Sequence, residues 1–528
     1  MIPATALDPK PVSGVHSHSA TLALQARNVS KRFGELVALD DVSFQMRAGS
    51  VHALLGENGA GKSTLVKCIM GFYQADSGSV SVHGTPLKLK SPREAQRHGI
   101  GMVYQHFTLV ENMTVAENLV LARASIPRVI DWKKELAEID AFMQKMPFRI
   151  PPSRGVRQLA AGQKQKLEIL KQLYLGNRVL ILDEPTSVLT PQEADDVLGM
   201  LRQMAEDRTV SVAMITHKFR EVMDFADEVT VLRKGRAVGG GSTKVLSPAE
   251  MAEMMVGAAP PRANLDRIAT PAGPAVLELR DLNALDDLGL PVLKSLSLSV
   301  NAGEIVGIAG VSGNGQDELV QVLAGQRQAT SGSLKVAGSD YQPIRAQIHE
   351  RKVRLLPEAP LANACVADMS VAENIGFRLF DRPPFTWLRW FVSKGRLRKQ
   401  AHSAIESYRI KTPSPNTPIG DLSGGNVQRA VLARELDGEV KLLIAANPCF
   451  GLDFAAVSEI RSRIMAARNG GAAVLLVSAD LEEVFALADR IVVMSQGRFT
   501  FESDASSADV RDIGSHMAGH SIPAAANA

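Results

Sequence analysis

No stretch of the 528-residue chain approaches the roughly 18 consecutive apolar residues that a membrane-spanning helix requires. The start, MIPATALDPKPVSGVHSHSA, has no basic segment ahead of an apolar one, so it does not read as a secretory signal. Its Pro, Ser and His content reads instead as a disordered tail, expected over residues 1–22. Cysteine is scarce. Cys68, Cys365 and Cys449 are widely separated, odd in number and without metal-ligand spacing, which argues against a disulfide framework and for a reducing compartment. Neither sign of charge dominates: 59 Lys and Arg against 56 Asp and Glu leave +3, so composition does not point to nucleic acid as a partner. If such a protein works at a membrane, another chain must cross it.

What is present is ordinary for soluble globular protein, 45% hydrophobic and 22% charged, in a chain too long for one core. The most informative stretch is GENGAGKST, Gly56 to Thr64, directly after the apolar run Val51–Leu55. It matches a loop that joins a buried strand to a helix and holds nucleotide phosphates. Gly56, Gly59 and Gly61 let the backbone turn tightly and point N–H groups at an anion, with Glu57, Asn58 and Ala60 between them. Lys62 can reach the β- and γ-phosphates, Ser63 can offer its hydroxyl to Mg²⁺, and the helix entered at Thr64 directs its positive end at the same charge. The expected ligand is a nucleoside triphosphate.

Short apolar runs then alternate with helical stretches: GMVYQ (101–105), VLILDEP (179–185), VSVAMITH (210–217) and EVTVLRKG (228–235). Uninterrupted runs of this length suit an α/β fold whose parallel sheet is covered on both faces. Ser91, Thr190 and Ser247, each followed by Pro and then by Glu at the third helical position, mark helix starts. Residues 258–275 are rich in Pro and Ala and read as a linker. After them the same series returns about 250 residues later. EIVGIAG (304–310), LLPE (355–358), KLLIAANP (441–448) and AAVLLVSA (472–479) mirror the strands of the first half. Two tandem units are expected, 23–257 and 276–520, with a short tail at 521–528. The segment 383–399, with its aromatic and basic residues, interrupts the second unit and is expected to be a helix packing locally.

Two consecutive carboxylates, Asp183 and Glu184, close a buried strand. Alternation puts them on opposite sides of the chain, so separate tasks are expected. Asp183 can hold Mg²⁺, and Glu184 can orient or deprotonate an attacking water. His217, at the end of the next apolar run, can touch the γ-phosphate.

In this order the set resembles an ABC-type ATPase: phosphate loop, Gln105 (Q-loop), signature LAAGQ (159–163), ILDEP, 187–190 (D-loop) and His217 (H-loop). The resemblance covers about residues 23–520. It implies two tandem P-loop cassettes, each with a mostly parallel core sheet, an antiparallel β edge and a helical subdomain. It further implies ATP and Mg²⁺ as ligands, an adenine platform at Phe33, and Gln105 joining Ser63 and Asp183 at the metal.

The second half departs from the pattern. Gln316 and Asp317 stand in place of Lys62 and Ser63, Ala446–Asn447 in place of Asp183–Glu184, Ala479 in place of His217, and Glu358 in place of Gln105. Its signature, DLSGGNVQR (421–429), is nearly intact, whereas the first has Ala160 and Ala161 in place of Ser-Gly. Head-to-tail closure, which the resemblance implies, would set Ser423, Gly424, Gly425 and Asn426 against the first loop. That leaves one complete site and one degenerate site. The resemblance also implies an ATPase coupled to a bacterial importer, with nucleosides or purine-type solutes favoured and monosaccharides as the alternative. The expected partners are two membrane permease subunits, alike or different, and a solute-binding lipoprotein. The chain would then be peripheral on the cytoplasmic face of the inner membrane. A soluble tandem ATPase acting on ribosomes or DNA is the rival class; the uncharged linker and scattered cysteines speak against it.

Overall fold

The computed structural model describes residues 21–105, 107–123, 125–216, 218–257, 263–268, 273–311, 313–387 and 391–517. His217, nearly all of the two expected tails and half of the expected linker lie outside these residues. The first half has a six-stranded sheet whose order is Arg236–Ser242, Glu228–Arg233, Val51–Leu55, Ser211–Ile215, Val179–Asp183, Ile100–Val103. All its pairings are parallel except that of the first two strands. Alternation along the central strands feeds two cores. Leu54, Ile181 and Ala213 face one, while Val51, Ala53, Leu55, Leu180 and Leu182 face the other, as both-face burial of a parallel sheet requires. A four-stranded antiparallel sheet, Leu36–Arg47, Leu22–Phe33, Ser77–Val82 and Thr85–Leu87, packs beside it. The helices Val115–Leu121, Trp132–Met143 and Ala161–Tyr174 form an arm with its own core around Leu119, Ile139 and Leu170.

The second half repeats this plan. Its six strands run Val353–Leu356, Leu442–Ala446, Ala473–Ser478, Ile305–Ala309, Arg490–Ser495, Arg498–Asp504, again with one antiparallel pair at the edge. The arm is built from Val371–Ile375, Lys394–Ser407 and Gly424–Glu435. Part of the expected linker is docked on this half: Asn264 N–H donates to Ser462 Oγ (2.9 Å), and Arg267 pairs with Asp489 (2.9 Å). The segment 383–399 is not one helix. A short hairpin, Thr386–Trp387 with Phe391–Val392, precedes the helix Lys394–Ser407; residues 388–390 lie outside the described residues.

Among the described residues, the contacts that tie the halves together include the following. Phe219 and Phe454 stack with centroids 5.6 Å apart and planes at 13°. Asn58 Nδ2 donates to the Gly451 carbonyl. The helix Val510–Met517 lies so close to the helix Pro191–Glu206 that a Cβ on Gly514 would come within 2.1 Å of Gln192 Oε1. That last helix begins where expected. Thr190 Oγ1 accepts from Glu193 N–H, and the Glu193 carboxylate accepts from Thr190 N–H in return. Thr190 is buried, so Thr190→Ala should cost about 1 kcal/mol, read as a lower urea midpoint for the first half.

Candidate functional site

The phosphate loop leaves the strand Val51–Leu55 and enters the helix Lys62–Ile69. Two of its glycines are required by geometry. Gly56 has φ 154° and Gly61 φ 105°, and a Cβ would sit 2.5 Å from the Leu232 carbonyl at the first and 2.8 Å from the Ala38 carbonyl at the second. The backbone is thus held against its neighbours, where only glycine fits. Lys62 Nζ folds back into the loop and donates to the Gly56 and Glu57 carbonyls at 2.5 and 3.1 Å.

Around the loop lies a cavity of about 940 Å³. It gathers Phe33, every residue from Gly56 to Thr64, Gln105, Asp183 and Glu184. Phe33 is 41% exposed and its ring meets Tyr73 edge-on at 5.1 Å, which leaves an aromatic surface open to the cavity. Asp183 is the last residue of its strand, but strand alternation does not aim Glu184. Glu184 has φ 49°, so a left-handed turn carries its carboxylate out of the sheet. Gln105 Nε2 donates to Glu184 Oε2 at 3.3 Å. Burial lowers the Lys62 ammonium from its usual pKa, opposed by Glu184, Asp183 and Glu57. Burial and the Glu184 charge push the Asp183 carboxyl up, with Lys62 opposing. A buried ammonium and a buried carboxylate are both destabilised in the charged forms they must hold. A bound phosphate would compensate the first, and a cation the second. The hydroxyl of Ser63 and the carboxylate of Asp183 are hard oxygen donors suited to Mg²⁺.

The far wall comes from the second half: Cys449, Phe450, Gly451, Leu452, Asp453 and Arg461. Apart from Cys449, noted only as a scattered cysteine without metal-ligand spacing, these residues were not singled out by sequence reading. The signal of Cys449 to Asp453 is positional, since they follow Ala446–Asn447 as 186–190 follow Asp183–Glu184. Lys218 and Phe219, also on the wall, adjoin His217. The signature residues Ser423–Asn426 do not line the cavity. They sit one layer behind, with Asp453 Oδ2 3.5 Å from where a Cβ on Gly425 would be. Glu57 feels both sides: burial and then Asp453 push its carboxyl up, opposed by Lys411 and Lys62.

The second half's own loop is closed on itself. Gln316 is buried; its Nε2 donates to the Val311 carbonyl (3.1 Å), and its Oε1 accepts from Asn314 N–H (3.1 Å). An N–H that an anion would need is therefore already satisfied. Asn447, with φ 40°, keeps the turn seen at Glu184, and the bond to the Q-loop position survives with its polarity reversed. Asn447 Nδ2 donates to Glu358 Oε2 at 2.7 Å, and Asn447 Oδ1 accepts from Ala479 N–H at 2.9 Å.

A sequence model of the ABC transporter family matches residues 39–187 and 293–449. The chain is 39% identical to a glucose import ATP-binding protein of Haloferax volcanii, over 94% of this chain and 96% of that one. It is 37% identical to a nucleoside import ATP-binding protein of Lactococcus lactis, over 94% and 98%. It is 38% identical to a guanosine import ATP-binding protein of Bacillus subtilis, over 94% and 97%. The chain belongs to the ABC transporter family, as an ATP-binding subunit with two ATPase cassettes. Lys62→Ala should weaken ATP binding, measured by equilibrium titration of the purified chain. Glu184→Gln should preserve binding but slow hydrolysis by roughly 10²-fold or more, the usual scale for loss of a general base.

Proposed function

We propose that this chain energises an importer of nucleosides or purine-type solutes by hydrolysing ATP at one composite site. The observation that carries the reading is the cavity between the halves. Its intact loop comes from the first half and its far wall from the second, while the second half's loop is filled by Gln316. ATP would draw Lys62 away from the Gly56 and Glu57 carbonyls and onto the phosphates. Its adenine would lie against Phe33. Glu184, steadied by Gln105, would accept the proton of the attacking water, and His217 would contact the γ-phosphate. Mg²⁺, when bound, would neutralise phosphate charge, with Ser63, Asp183 and Gln105 as its protein contacts. On closure Ser423, Gly424, Gly425 and Asn426 would advance past the Asp453 loop to meet the γ-phosphate. There N–H groups at a helix start stabilise charge that develops during transfer, where one lost donor costs about 3 kcal/mol.

Among the described residues no helix is long and apolar enough to cross a membrane. As an importer's ATPase the chain would work with two permease subunits in the membrane and a solute-binding lipoprotein outside it. The chain would be peripheral on the cytoplasmic face. The relatives named for nucleoside and guanosine import support the cargo, as does the resemblance of GMVYQHFTLVENMTVAENL (101–119) to the nucleoside-uptake branch of these ATPases. The relative named for glucose import favours a second reading, a monosaccharide importer. Uptake of radiolabelled nucleosides and sugars by cells lacking this chain decides between them: loss of sugar uptake alone would refute the nucleoside reading.

The asymmetry has its own test in the complex purified with its permease. Ser423→Arg and Gly425→Asp should abolish hydrolysis. Ala160→Arg and Gln316→Ala, at the degenerate site, should leave it within a few-fold. Equal losses from both pairs would mean that two sites hydrolyse ATP.

A further inference from the structure

In the second half's arm the helices Val371–Ile375 and Lys394–Ser407 are joined through residues 376–393, whereas the first half makes the same connection with 122–131. The added length holds the short hairpin, which sets Trp387 directly across from Phe391. Their rings lie 6.1 Å apart, yet Trp387 is 68% exposed and Phe391 63%. Val392 beside them is exposed too. The base of the hairpin is fixed. Thr386 is buried, its N–H donates to the Arg382 carbonyl at 3.0 Å, and Ser393 N–H donates to the Phe385 carbonyl at 2.7 Å. An ordered base thus holds two aromatic rings out in water, where they form an apolar surface that a partner would cover.

Cations surround this surface. From Arg382 to Ile405 the sequence contains no Asp or Glu, and Arg382, Lys394, Arg396, Arg398 and Lys399 are all exposed. Among the described residues only Lys394 of these has an ion pair, with Glu373 at 3.8 Å. That carboxylate is already engaged, accepting from Ser370 N–H at 3.0 Å and from Ser370 Oγ at 2.7 Å. Arg396 donates to the Pro384 carbonyl, a neutral partner. Lys394, Arg396, Arg398 and Lys399 open a helix that has no acidic residue in its first turn and no side-chain cap from Ser393. A helix start is the positive end of its dipole and favours an anion. Here the chain adds cations instead.

The first half exposes apolar side chains at the same place, Val129 and Trp132, but handles the charge differently. Its helix Trp132–Met143 starts at Asp131, whose carboxylate accepts from Lys133 N–H at 3.1 Å and from Lys134 N–H at 3.2 Å. Arg123 pairs with Glu135 at 2.7 Å, and Lys134 approaches Glu138 at 3.9 Å. There a carboxylate of the chain itself answers the helix start. In the second half the same position is aromatic, cationic and open.

Resting on the importer reading above, which sets the chain beneath the inner membrane, we propose that this hairpin and the helix start behind it form a contact site for the anionic surface of the bilayer. Trp387 and Phe391 enter the boundary between headgroups and acyl chains, where aromatic side chains are favoured. Lys394, Arg396, Arg398 and Lys399 meet lipid phosphates. A soluble polyanion would answer the cations and leave the rings in water, and an apolar groove would cover the rings and leave the cations unneutralised. An anionic lipid surface satisfies both. One patch of this size makes a weak, reversible contact, so it orients the second half's arm at the membrane and does not anchor the chain by itself. The first half, with Asp131 at the matching point, makes no such contact.

Sedimentation of the purified full chain with lipid vesicles tests this without a permease. Vesicles of phosphatidylcholine with about 30% phosphatidylglycerol should bind the chain at low salt and release it at high salt. Phosphatidylcholine alone should bind it at least about tenfold more weakly. Arg398→Gln combined with Lys399→Gln should lower binding about 25-fold, roughly fivefold for each cation. Trp387→Ser combined with Phe391→Ser should lower it at least about tenfold. Both double variants should keep the thermal midpoint and ATP affinity of the unaltered chain. In the complex within its membrane, benzoylphenylalanine in place of Phe391 should cross-link lipid. Capture of a permease peptide there instead overturns the proposal, as does equal binding to the two kinds of vesicle or unchanged binding by the Arg398 and Lys399 variant. If the Trp387 and Phe391 variant fails to fold, the charge variant and the lipid cross-link decide. Failure in the vesicle assay falls on this proposal alone, whereas failure of the unaltered chain to assemble with any membrane protein refutes the importer reading.

Discussion

Lys62 is a cation held at the end of a buried strand by a loop whose glycines press against neighbouring backbone. Much of the first half serves that arrangement. The strand must be central, because only there do the adjacent strand Ser211–Ile215 and, one place beyond it, Val179–Asp183 bring the Ile215 carbonyl, which accepts from Glu184 N–H at 2.9 Å, and Asp183 to the same end of the sheet. The helix must follow at once so that its first N–H groups share the anion with Lys62. Burial raises the energy of the ammonium, and the carboxylates that offset it also oppose phosphate. An empty site of this kind is poised: it can hold its charges, but a phosphate–metal complex would satisfy them better.

The second half shows what remains when that demand is removed. Gln316 keeps the loop's shape with a neutral amide, bonding one carbonyl and one N–H that a lysine and a phosphate would have shared. The left-handed turn persists at Asn447, and its link to the Q-loop position persists as Asn447 to Glu358. Scaffold contacts were kept and charge was reassigned. What this half contributes to the large cavity is a wall, formed by the turn after its own inactive strand and held to the first half by Phe454 on Phe219.

The two halves also differ where the arm enters its middle helix. In the first half Asp131 stands at that helix start and accepts from Lys133 and Lys134 N–H, so the positive end is answered by the chain itself. In the second half no acidic residue stands in the first turn, and Lys394, Arg396, Arg398 and Lys399 add to the same charge. Such exchanges keep packing sound, with Ile139 buried in one arm and Leu397 and Ala401 in the other. They alter surface chemistry and let one fold present two unlike faces to its surroundings.

Much was legible in the residues themselves. The buried strands, the helix starts at Ser91, Thr190 and Ser247, the phosphate loop and the tandem repeat all rest on local rules: apolar runs, capping chemistry and glycine at left-handed positions. So did the loss of Lys, Asp and Glu from the second half, since charge is written in the chain. Three things needed the tertiary structure. Glu184 is aimed by a left-handed turn, not by strand alternation, because the residue after a strand is free to leave the pleat. The segment 383–399 opens with a hairpin, because tertiary packing decides between short strands and a helix where no clear period exists. Residues Cys449–Asp453 gained their positions only when chain segments far apart in sequence were brought together. No local pattern encodes which loop will face Lys62, or whether cations at a helix start will find carboxylates free to pair with them.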